Sequence, residues 1–113
     1  MALVSETFFS VSVRDMPRAT AFYVEALGAT VAFQSPAWSS LLIAGVRVGL
    51  AADATHDGGP VGLHFAVSDL AEACAQVERS GGQVLRARVE VAPGVVVAEA
   101  TDTEGNAFVL TQR

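Results

Sequence analysis

The chain has 113 residues and a formal net charge of −5, from seven cationic and twelve acidic side chains, with 51% hydrophobic and 17% charged residues. That length holds one domain around one core, the apolar content excludes a disordered chain, and the acidic balance repels the phosphates of a nucleic acid. All seven cations are arginine, which excludes lysine Schiff-base chemistry and phosphate loops that depend on a lysine.

A single cysteine, Cys74, leaves no intrachain disulfide and fits a reducing cytoplasm. The longest apolar run, 41–52, is interrupted by Arg47 and is too short to span a bilayer. No basic residue precedes the apolar stretch at the N-terminus, so no leader is expected. These features predict an unprocessed, cytoplasmic chain that engages neither membrane nor nucleic acid.

In chain order, Phe9, Val11 and Val13 alternate as on a strand with one buried face. Asp15 then offers its carboxylate to the free N–H groups of a helix whose first turn contains Pro17. Ala19, Phe22, Tyr23, Ala26 and Leu27 form the apolar stripe of that helix, and Gly28 supplies the left-handed residue that ends it. Three strand-like runs follow at 30–34, 38–43 and 46–51. The polar, glycine-rich stretch 55–60 reads as a link between modules at approximately 6–54 and 61–113.

Beyond the link the plan repeats. Val13 pairs with Val67, Asp15 with Asp69, Ala19 with Ala73 and Gly28 with Gly82 at one fixed displacement. Leu63, Phe65 and Val67 alternate as a strand, and Asp69 caps a second helix with Glu72 at the capping-box position. Leu70, Ala73, Cys74 and Val77 make the buried stripe, Gly81 and Gly82 end the helix, and strands are predicted at 84–91, 95–100 and 107–112. Each half is a βαβββ unit within a single domain.

Val13-Arg14-Asp15-Met16, leading into Ala21-Phe22-Tyr23-Val24-Glu25-Ala26-Leu27-Gly28, resembles the local signature of the vicinal oxygen chelate superfamily of glyoxalase I, bleomycin-resistance proteins and extradiol dioxygenases. The turn Asp102-Thr103-Glu104-Gly105-Asn106 is similar to that family's turn before the last strand, with Thr103 where a proline is usual. The resemblance implies an α+β fold in which two tandem βαβββ modules form a curled, cup-shaped eight-stranded sheet, with a ligand or divalent metal on its inner wall. It also implies four metal-ligand positions, which fall here on Phe8, Gly49, Gly62 and Val109. None of these carries a donor, and a divalent transition metal needs three or four converging imidazoles or carboxylates. No metal and no other cofactor is therefore expected.

Around those positions, His64 shares a strand face with Gly62, and Ser10 is its counterpart in the first module. His64 is a candidate for ligand contact or for general acid/base work, or else a core histidine bonded to backbone. Glu99 would complete an acid/base pair if it lay near His64. Trp38 is either a platform for a flat ligand or a core residue, and Phe8 suits an apolar pocket wall. Arg47, Arg86, Arg88 and Glu90 belong by default to a solvated face or sheet edge, and Cys74 to the helix core.

The function expected is a metal-free small-molecule-binding protein similar to the bleomycin-resistance branch, its ligand contacted by Phe8, Ser10, Trp38, Gly49, Gly62, His64 and Val109, and its chains paired as a homodimer. The alternative is a metal-independent isomerase, lyase or hydrolase acting through His64 and Glu99 on a small oxygenated metabolite. A metal-dependent glyoxalase or dioxygenase comes third.

Overall fold

The computed structural model describes residues 3–113. Strand β1 (Phe9–Val13) leads into helix α1 (Met16–Leu27), followed by β2 (Thr30–Gln34), β3 (Trp38–Ile43) and β4 (Val46–Ala52). The second module runs β5 (Gly59–Val67), α2 (Leu70–Arg79), β6 (Gln83–Ala92), β7 (Val95–Thr101) and β8 (Asn106–Gln112). The tandem βαβββ plan is thus present. Each module forms its own four-stranded mixed sheet, in the orders β1-β4-β3-β2 and β5-β8-β7-β6, and the sheets do not close on each other.

In both sheets the first strand pairs in parallel with the last, so the helix is the crossover that a parallel pair requires. The equivalence extends to the strand ends, where the N–H of Asp53 bonds the carbonyl of Val13 and that of Arg113 bonds Val67. Strand β5 starts at Gly59, inside the stretch read from sequence as a link, because Gly59 and Pro60 pair with Asn106 and Ala107 of β8. Glycine and proline obscured that start. Between Pro60 and His64 the strand bulges, with Gly62 at φ +76° where a side chain would be strained.

The caps follow the sequence. Asp15 accepts from the N–H of Arg18 at 3.1 Å, and Asp69 from that of Glu72 at 3.0 Å. Gly28 adopts the left-handed conformation and its N–H returns to Tyr23. Helix α2 ends one residue earlier than its glycines, on Ser80. The stripes of both helices, the inner residues of both sheets (Val11, Val13, Leu41, Val48, Leu50, Ala98, Ala100, Phe108, Leu110) and Leu63 make one shared core. Phe108 packs tilted against Phe22 of the first module and edge-to-face with Phe65 of the second.

A buried polar clasp also joins the modules. Glu104, fully buried in the β7–β8 turn, accepts from the backbone N–H groups of Arg14 and Asp15 and pairs with the Arg18 guanidinium at 2.5 Å. Beside it the Tyr23 hydroxyl donates to Asp102 at 2.7 Å. Asp102 also accepts from the N–H groups of Glu104 and Asn106, which shapes the turn. The Asn106 amide spans the gap, donating to the Ser12 carbonyl and to Asp102, while its oxygen meets the His56 ring at 2.5 Å. Because that amide donates to both oxygens, its carbonyl faces His56 and the ring nitrogen there is the donor.

Candidate ligand-binding site

In each sheet one face packs on the helices, and alternation sends the intervening residues to the opposite, open face. In the first sheet, register places Ser10 beside Gly49 and Gly49 beside Ser40, with Trp38 opposite Ala51. Gly49 has ordinary backbone angles and is glycine for another reason: a Cβ there would overlap the Trp38 indole. The indole occupies the space a side chain at 49 would need. Phe8, just before β1, meets Trp38 edge-on with ring centroids 6.1 Å apart. Phe8 is 45% exposed and Trp38 half-buried, so together they form an aromatic wall open to solvent. Arg47 is drawn to one side by Glu6 at 2.9 Å and by the Ser40 hydroxyl at 3.4 Å.

In the second sheet, His64 of β5 pairs with Val109 of β8, Val109 with Glu99 of β7, and Glu99 with Arg86 of β6. Directly paired residues share a face, so these four form one row. His64 is exposed and its Nε2 is hydrogen-bonded to the Thr111 hydroxyl, two residues along β8 on the same face. His64 and Glu99 are two strand spacings apart, about 10 Å between backbones. No hydrogen bond joins them, and Val109 lies between them.

Gly62 lies off this row, because the bulge shifts it out of register with β8. The expected residues therefore divide between two surfaces: Phe8, Ser10, Trp38 and Gly49 on the first sheet, and His64, Val109 and Glu99 on the second.

Two concavities lie elsewhere. An apolar groove of about 390 Å³ runs between the modules, lined among others by Leu27, Ile43, Val48, Leu63 and Phe65, and only His64 of the expected residues borders it. A shallower depression of about 620 Å³ lies beside the start of α1, near Arg14 and Pro36. The two sheets do not close on each other, and Phe8 and His64 stay exposed to solvent.

Phe8, Gly49, Gly62 and Val109 offer no donor to a divalent metal, and the Trp38 indole fills the space at one of them. Among the described residues no three His, Cys, Asp or Glu side chains converge as a metal would require. The residues present do not fit the metal that the fold family implies.

Sequence reading assigned Tyr23 to packing alone and gave Glu104 no task. Tyr23 is indeed buried, and burial first, then Asp102, holds its phenol far above the usual range. For Glu104 burial acts upward, but Arg18 and the N–H groups of Asp15 and Arg14 outweigh it and leave the carboxyl below its ordinary value. An acid one residue before the Gly105-Asn106 pair was the available signal. Cys74 is a free, half-buried thiol, and burial, with Glu78 nearby, pushes its pKa upward and disfavours the thiolate.

A family model for the Glyoxalase/Bleomycin resistance protein/Dioxygenase superfamily matches residues 7–110. The chain belongs to this superfamily. The glyoxalase-superfamily fold recurs in solved structures of low sequence identity. The fosfomycin resistance protein FosX from Listeria monocytogenes aligns with a TM-score of 0.81 at 15% identity, over 99% of this chain and 95% of its own. A bleomycin resistance determinant encoded on transposon Tn5 aligns at 0.72 and 21% identity, over 97% of this chain and 98% of its own. A bleomycin-binding protein complexed with bleomycin aligns at 0.67 and 20% identity, over 97% and 99%. No curated protein matches the chain in sequence. No helix among the described residues is long and apolar enough to cross a membrane.

Proposed function

We propose that this glyoxalase-superfamily chain binds a small molecule without a metal, on the aromatic wall of Trp38 and Phe8, and does not transform it. The observation that carries this reading is the Trp38 indole lying on Gly49. A position suited by resemblance to a metal ligand holds part of a flat aromatic surface instead. Aromatic faces recognise planar, weakly hydrated ligands through stacking and burial. The bleomycin-binding neighbour supports the same class of activity.

A second reading, acid/base catalysis on a small oxygenated metabolite, draws on the row His64–Val109–Glu99, where one ligand could touch both ionisable groups. It ranks lower because the two groups do not contact each other and His64 is exposed.

The binding protein is proposed to be a homodimer in a reducing cytoplasm. A second copy would supply the opposing wall that each open face lacks, and would cover exposed Phe8, Phe9 and Phe33. Trp38 is the only tryptophan, so its emission reports directly on the wall. Titration with bleomycin and with a panel of planar aromatic compounds, followed by mass spectrometry of each ligand, tests the reading. A saturable change in emission with the ligand recovered intact is expected. Catalytic conversion, or no response to any compound, overturns it.

A further inference from the structure

Strand β6 lies at the edge of the second sheet and departs furthest from a regular ladder. Its ten residues run beside the seven of β7, and three breaks in register leave Leu85, the Ala87–Arg88 pair and Val91 as bulges. At the middle bulge Arg88 has φ +51°. The other described non-glycine residue with positive φ, Ala44, sits beside Gly45 in a tight hairpin turn that demands it. No such turn explains Arg88, and glycine or asparagine would adopt that conformation at less cost.

Charge singles out the same strand. Arg14, Arg18, Arg47 and Arg79 are all paired with carboxylates. Arg86 and Arg88 are exposed and make no ion pair among the described residues, in a chain where acids outnumber cations twelve to seven. Glu99, directly across from Arg86, stays more than 4.0 Å from its nitrogens.

We propose that Arg86 and Arg88 form an anion-binding arm on the free edge of the second sheet, taking the carboxylate or phosphate group of a small molecule. The proposal goes beyond the binding reading above, because the arm stands on the second sheet and the Trp38–Phe8 wall on the first. Arginine suits the task because its planar fork matches both oxyanions and stays charged at every physiological pH. Arg86, in register with Glu99, and Arg88, in the adjoining bulge, leave one short stretch of a free strand edge, from which two long side chains would meet on a single anion. Exposed Leu85 and Val91 flank them and favour a ligand with apolar surface next to its charge. Glu99 beside Arg86 opposes the anion and limits its affinity.

The test is amide chemical-shift titration of the ¹⁵N-labelled protein with inorganic phosphate and with benzoate, against chloride at matched ionic strength. Saturable shifts centred on residues 85–91 are expected. Arg86→Gln and Arg88→Gln should each weaken binding about tenfold, the value of one charge-assisted hydrogen bond, and Glu99→Gln should tighten it. Arg88→Gly relieves the backbone and so should fold at least as well while losing the anion. Equal shifts with chloride, or wild-type binding by Arg86→Gln and Arg88→Gly, would show that the arginines only protect the strand edge from pairing. If those variants lose the anion while no planar compound perturbs Trp38 in the wild type, the binding reading fails and the arm stands. If Trp38 responds in every variant and no oxyanion is selected, the arm alone fails.

Discussion

At the scale of single residues, the Gly49–Trp38 contact is the most informative, since it turns an absent side chain into an aromatic surface. Gly49→Ala should displace the indole, costing about 1–3 kcal/mol by overpacking, and should weaken any ligand that stacks there. Denaturant unfolding and the emission maximum of Trp38 measure both effects. His64 separates the two functional readings. His64→Gln keeps a donor and an acceptor, so a binding role predicts a loss of at most about 1–2 kcal/mol in affinity. A catalytic role predicts unchanged affinity with turnover slowed by about 10²–10⁴, measured on the same ligand.

Glu104 makes a prediction about pH. Its folded carboxyl is held below its ordinary value, so its contribution is present above the unfolded range near 4.5 and is lost as pH falls through the folded value. Thermal unfolding from pH 7 downward should show the wild type losing its advantage over Glu104→Gln in that acidic window. At neutral pH Glu104→Ala should cost about 2–3 kcal/mol, because two backbone donors lose their acceptor while half-exposed Arg18 recovers water. Tyr23→Phe removes one hydrogen bond to Asp102 and should cost about 1–2 kcal/mol.

Among the elements, both helices and most strands were legible because their signals are local. Caps at Asp15 and Asp69, stripes at helical spacing and the glycine at 28 each belong to one short window. The start of β5 was not, since Gly59 and Pro60 enter the sheet through pairing with β8 rather than through propensity. The bulges of β6 were equally hidden, because Arg86 and Arg88 read as a regular alternation until register is known. The signatures around Phe22-Tyr23 and Asp102–Asn106 pointed to the family without revealing that they touch. Contact between Tyr23 and Asp102 bridges 79 positions of the chain, and no short window of sequence contains it.

For the whole molecule, the two modules share a core and a clasp, yet their sheets stay apart. The radius of gyration, 14.3 Å, exceeds the roughly 13 Å of a closely packed domain this size, as two unclosed sheets would make it. The division of the expected residues between two open faces was not legible, because it depends on how the modules meet. The proposed homodimer would supply the missing walls, and light scattering at micromolar concentration should then give twice the chain mass of 11.7 kDa. A monomer would leave both walls facing solvent and would contradict the paired arrangement.

The central claim, ligand binding on an aromatic wall without a metal, is tested most directly by Trp38 emission titrated with one confirmed ligand, first in excess chelator and then with added Zn²⁺, Ni²⁺, Mn²⁺ or Fe²⁺. The account predicts the same dissociation constant in every case and far less than one equivalent of metal retained after desalting. Binding that vanishes in chelator and returns with one of these ions at one equivalent per chain would contradict it.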